Sequence, residues 1–105
     1  MAGGIKMRIS LKDGVTTVRA LMRHPMETGR RKDPETGKLI PAHFIEDVVC
    51  ELNGKAIMTA HWGDGISKNP YISLRFRGAK PGDSVRLAWL DNLGQHDFIT
   101  AVIGE

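Results

Sequence analysis

The groups best suited to chemistry in this chain are its four histidines, His24, His43, His61 and His96, and its single cysteine, Cys50. Metal pairs recur at i and i+2 on a strand or i and i+4 on a helix, and no two of these histidines are so spaced. His24 and His43 flank one irregular stretch and can converge in space, yet each is expected to cap or to lie at the surface. A histidine–metal redox centre would need at least three of these five groups to meet. Cys50 would be a nucleophile only beside a base. Its parity places it with Val48 and Leu52 on the inward face of a strand, where cysteine behaves as a small apolar residue. The acids are dispersed, with no pair that can be placed across a cleft, and neither GxGxxG nor GxxxxGK[ST] occurs. These residues argue against an enzyme.

The elements that must position them are strands. Residues 5–11 alternate Ile5, Met7, Ile9 and Leu11 with Lys6, Arg8 and Ser10, the period of a half-buried strand. Asp13-Gly14 marks a turn, and 15–23 continues extended with Thr16, Val18, Ala20 and Met22 on one side. After the irregular stretch, Phe44, Val48, Cys50 and Leu52 share a face that only Glu46 interrupts. Asn53-Gly54 is the strongest short hairpin signal a sequence carries. It leads into 55–62, with Ala56, Met58, Ala60 and Trp62 on one side. In 71–77, Ile72, Leu74 and Phe76 face in and Arg75 and Arg77 face out; Val85, Leu87 and Trp89 follow as another inward face. The last strand, 96–103, is apolar on both sides, with Phe98 and Val102 opposite Ile99, Ala101 and Ile103. Such a strand is covered twice or lies at a subunit contact. No segment keeps helical spacing over two turns. About seven short strands with turn signals predict an all-β, immunoglobulin-like antiparallel β-sandwich, without the Cys…Trp…Cys framework of antibody domains.

The irregular stretch is HPMETGRRKDPETGKLIP, residues 24–41, holding three of the five prolines and no apolar period. Long loops in compact domains are usually functional or disordered. Met26, Leu39 and Ile40 offer this one apolar anchors and predict order. Its charges, Arg30, Arg31, Lys32 and Lys38 against Glu27, Asp33 and Glu35, leave a net +1, too balanced for a phosphate patch. A docking loop is the sharper reading, a solvated linker the plainer one. Candidate partner contacts are Met26, Arg30 and Arg31 here, with Arg75 and Arg77 on their strand. Phe98, Ile99 and Ile103 are stronger candidates, because buried apolar area dominates obligate interfaces.

A chain of 105 residues makes one domain, residues 1–105. Its 41 % apolar and 26 % charged content suits a globular protein with a core of its own. A net charge of +3 suits an acidic partner, but the basic residues look scattered and aromatics are only 6 %, which argues against nucleic acid. No apolar run reaches membrane-spanning length. One cysteine excludes an internal disulfide. With no signal-peptide pattern in MAGGIKMRISLKDG, these features alone point to the cytoplasm.

HPMETGRRKDPETGKLIPAHFI resembles the SoxZ family of bacterial sulfur oxidation. The resemblance continues through Val49-Cys50, Asn53-Gly54, Ile66-Ser67-Lys68-Asn69-Pro70-Tyr71-Ile72-Ser73 and Asp91-Asn92-Leu93-Gly94, and so covers the chain from about Val15 onward. It implies a non-catalytic subunit without cofactor or metal. The implied partner is SoxY, an immunoglobulin-like subunit that carries sulfur intermediates on the cysteine of a mobile C-terminal arm. The two pair tightly and dock together to the enzymes of thiosulfate oxidation. This chain ends in TAVIGE with no such arm, and Cys50 lies mid-strand, so the carrier role does not transfer to it. The resemblance also replaces the cytoplasm with the periplasm, reached by co-export with a partner that bears the signal. Left alone, the exposed apolar strand can form a homodimer. Two other readings stand beside this one: a small histidine–metal redox protein on the same sandwich, and a cationic module for an acidic polymer, whose affinity would depend strongly on salt.

Overall fold

The computed structural model describes residues 4–104. Seven strands follow one another: β1 (Ile5–Lys12), β2 (Val15–Met22), β3 (Ile45–Leu52), β4 (Lys55–His61), β5 (Tyr71–Arg77), β6 (Ser84–Asp91) and β7 (His96–Val102). They form two antiparallel sheets, ordered β1-β2-β5 and β4-β3-β6-β7. The all-β sandwich expected from alternation is therefore the fold, and the described residues contain no helix. β1–β2 and β3–β4 are joined by two-residue turns. Asp13-Gly14 and Asn53-Gly54 both take positive φ (52° and 77°, 52° and 84°), the I′ geometry that matches strand twist.

The core lies between the sheets. Val18 and Met22 from β2 meet Ile45, Val48, Cys50, Val85 and Leu87, all shielded from solvent. Burying an aliphatic side chain of this size stabilises by about 1.5–3 kcal/mol, so alternation alone selects the inward faces. Thr16, Ala20 and Trp89 fall inside, as their parity requires. β3 departs from the pattern where expected: Ile45 is buried and Glu46 exposed, and the pairing with β6 shifts register between Ile45 and Asp47. The extra residue of this bulge turns Glu46 out of an apolar run.

The long stretch between β2 and β3 is an ordered arm. Glu27 bridges His43 and Lys32 bridges Leu39, Ile40 N–H donates to the Arg31 carbonyl, and Asp33 N–H donates to that of Lys38. The two legs touch at Gly29, where an added Cβ would come within 3.1 Å of that of Ala42 and where φ is +85°. Of the three expected anchors, Met26 is buried and Ile40 half-buried, while Leu39 is 58 % exposed at the arm's tip.

Candidate functional site

Both ends of the arm are fastened to the end of β6. Asp91 N–H and carbonyl close the β6–β7 turn with Gln95 and Gly94, and its Oδ1 accepts the N–H groups of Leu93 (3.0 Å) and Gln95 (2.8 Å). That leaves Oδ2, which accepts from His24 Nε2 at 3.0 Å and His43 Nε2 at 2.7 Å. The two rings lie 4.5 Å apart, and Trp89 packs edge-on against His24 at 5.0 Å. Neighbouring backbone reinforces the join. Asn92 receives Phe44 N–H on Oδ1 and donates Nδ2–H to the Ala42 carbonyl. Asn69 accepts from His24 N–H on Oδ1 and returns its own N–H to the His24 carbonyl.

Burial pushes the Asp91 carboxyl up, but the hydrogen bonds from His24, His43, Gln95 and Leu93 outweigh it and hold the group below the usual range. Asp91 is a carboxylate. Burial, with the neighbouring His43, outweighs the pull of Asp91 and holds His24 below its ordinary value, so its ring is neutral. The tautomer follows from geometry: His24 Nδ1 accepts the Met26 N–H at 3.2 Å, so the ring proton sits on Nε2 and is donated to Asp91. Met26 itself takes φ +48°, costing about 1–2 kcal/mol. The buried side chain offsets this and accepts Ile45 N–H on Sδ at 3.3 Å.

One ligand atom each from His24, His43 and Asp91 lies within 4.8 Å of the others, near metal-site spacing. The chemistry of His24 does not fit. A ring bound to metal through Nε2 carries its proton on Nδ1 and donates it outward, whereas here Nδ1 faces the Met26 N–H, a second donor. The cluster is a hydrogen-bonded latch. The histidine–metal reading also required three of its five named groups to meet, and the structure joins two of them, His24 and His43. His61 pairs with Asp47 on the sheet surface at 2.6 Å, and Cys50 is buried in the core. Burial, and Glu51 beside it, push the Cys50 thiol up to about 11. A cavity of about 570 Å³ opens beside the latch between Arg23, Gln95 and His96, and its lining holds no serine, threonine, cysteine, lysine or tyrosine for the imidazoles to activate.

The expected contact residues divide. Met26 and Ile103, at 5 % and 2 % exposure, are core residues and present nothing to a partner, which corrects their reading as contacts. Ile99 also points inward, half-buried against the core. Parity accounts for the split: of the apolar residues on β7 only Phe98 and Val102 look outward, 52 % and 65 % exposed. Arg30 and Arg31 are exposed on the arm but each holds an acid, Asp64 at 2.7 Å and Glu27 at 2.5 Å. Arg75 and Arg77 are exposed on the outer face of β5. The reading of residue types missed Leu90 and Ile57, which share the outer face of the four-stranded sheet with Phe98 and Val102. It also missed Asp91, which looks like an ordinary turn-former until both histidines are folded onto it.

Two sheets, a latched arm and an exposed apolar sheet face define an immunoglobulin-like β-sandwich built to meet another protein. The family model for the sulphur oxidation protein SoxZ matches residues 5–101, and the chain belongs to that family. Its role therefore lies in sulfur oxidation, with a protein partner from that pathway. No match is found among curated proteins.

Proposed function

We propose that this chain is the non-catalytic half of a sulfur carrier. It pairs one-to-one with a SoxY-like subunit and helps present that subunit's sulfur-bearing cysteine to the pathway's enzymes. Family membership over residues 5–101 carries the reading. The chemistry agrees: the imidazoles of the latch are committed to Asp91, and the lone thiol is buried and protonated. We assign the pairing to the outer face of β4-β3-β6-β7. Leu90, Phe98 and Val102 stand exposed there, Val49 and Ala88 lie half-buried between the larger side chains, and the ion pairs Asp47–His61 and Arg86–Glu51 border them. An apolar centre with a polar rim is the anatomy of a protein interface. A carrier of this kind works in the periplasm, co-exported with a partner that bears the signal.

Co-expression with the SoxY-like partner and native mass spectrometry test the reading. A stable one-to-one complex with sulfur adducts on the partner alone is expected, and Phe98→Asp should abolish it by burying a charge in the contact. Failure of the wild-type chains to associate, or an adduct on Cys50, refutes the assignment.

A further inference from the structure

The register of the three-stranded sheet gathers basic residues that lie far apart along the chain. Lys6, Arg8 and Lys12 on β1, Arg19 on β2, and Arg75 and Arg77 on β5 all point outward and are exposed. Arg8 stands directly opposite Arg19, Thr17 opposite Arg75, and Lys12 and Arg77 flank Val15. Arg19 and Arg75 are thus diagonal neighbours, within reach of long side chains. The outward residues between these cations are Ser10, Thr17, Ser73, Leu21 and Tyr71, with no acid among them. Arg30, Arg31 and Arg86 each hold a carboxylate. Among the described residues, none of the six does. Like charges directly opposite across strands destabilise a sheet, so this face costs the fold stability and returns nothing to its core.

We propose that the outer face of β1-β2-β5 docks an acidic surface of another protein, an enzyme of the sulfur pathway that works on the loaded carrier. This rests on the carrier reading but uses the opposite sheet. The chemistry selects a protein. The major groove of a duplex admits a helix or a two-stranded ribbon, and this face is the broad side of a three-stranded sheet. Single strands stack on several aromatics, and Tyr71 is the one aromatic here. Firm membrane anchoring needs a sizeable apolar insert among the charges, whereas the only apolar pair between these cations, Leu21 and Tyr71 beside Lys6 and Arg19, is confined to one corner. Unpaired cations on a flat face steer encounter with an acidic partner and release it readily, which suits a carrier that visits enzymes in turn.

The test is the charge reversal R8E/R19E/R75E, made in the assembled carrier and assayed for sulfur oxidation in a reconstituted system with carrier limiting. The wild-type rate should fall as salt rises from about 10 mM to about 150 mM and the screening length shrinks from about 30 to about 8 Å. The reversed variant should be at least about 10-fold slower at low salt and nearly insensitive to it. R8K/R19K/R75K should keep both the rate and the salt slope. Unchanged rate and slope in the reversed variant overturn the proposal, and capture of the wild type by phosphatidylglycerol vesicles in that case assigns the face to membranes. If the wild-type chain assembles with no partner, the carrier reading falls by itself. The face is then judged on the isolated chain by low-salt retention on immobilised poly-glutamate, which charge reversal must abolish.

Discussion

At Asp91 a single carboxylate oxygen holds both ends of an arm, and the protonation of His24 decides whether that hold persists. The folded His24 pKa lies below its ordinary value of 6.5, so the unfolded chain binds this proton more readily. Stability is therefore full above about pH 6.5 and falls as the pH drops from there through the depressed folded value. Asp91, also depressed, contributes stability above its ordinary 3.8 that is lost in a second, more acidic window. Urea unfolding across this range should show a wild-type slope below pH 6.5 that His24→Gln lacks, and equal slopes would dissociate His24 from the acid response. The Cys50 thiol, buried and raised to about 11, should resist alkylating reagents at neutral pH in the native protein and react fully in denaturant. Labelling of the folded chain would place it at a reactive site instead. Residue types foretold that His24 and His43 flank one stretch and that Cys50 faces inward. They did not foretell Asp91, because a carboxylate heading a tight turn is common and its second oxygen acquires a role only in three dimensions.

Strand bounds read from alternation agree with the structure to within a residue or two, because burial follows parity on both sheets. Two departures have local causes. The bulge at Ile45–Asp47 places Glu46 outside, and the two-faced β7 divides its apolar residues between core and surface. The arm was legible as irregular and ordered, but not as a pair of hydrogen-bonded legs, since it has neither strand nor helix period. Its stability should depend on the latch rather than on its tip. Asp91→Ala leaves two imidazoles and two backbone N–H groups without their acceptor and should cost about 3 kcal/mol or more. Hydrogen exchange should then quicken at the legs near Met26 and His43 while β2 and β6 stay protected. Replacing residues 32–39 by an Asn-Gly turn should, by contrast, shift Tm only slightly, because Arg31 and Ile40 are already hydrogen-bonded across the legs. Collapse of the fold in that variant would show that the tip is structural.

The whole molecule presents two unlike outer faces: an apolar one on β4-β3-β6-β7, rimmed by ion pairs, and a cationic one on β1-β2-β5. A net charge of +3 hides this division, because away from the six cations of the basic face the 12 acids outnumber the remaining bases and offset half of its charge. The basic residues look scattered along the chain only because β5 joins β2 across the whole of residues 23–70. With sheets packed about 10 Å apart, side chains on opposite outer faces share no contacts, and changes there should add independently. Phe98→Asp should abolish pairing with the SoxY-like subunit yet leave retention of the isolated chain on poly-glutamate unchanged. R8E/R19E/R75E should abolish that retention and shift the pairing affinity by no more than about 0.5 kcal/mol, the usual limit for uncoupled sites. A larger coupling would mean that one partner spans both faces around the β1 and β7 edges, and the two surfaces would then serve a single interface. Additive effects would leave the carrier free to hold its partner on one sheet while successive enzymes meet the other.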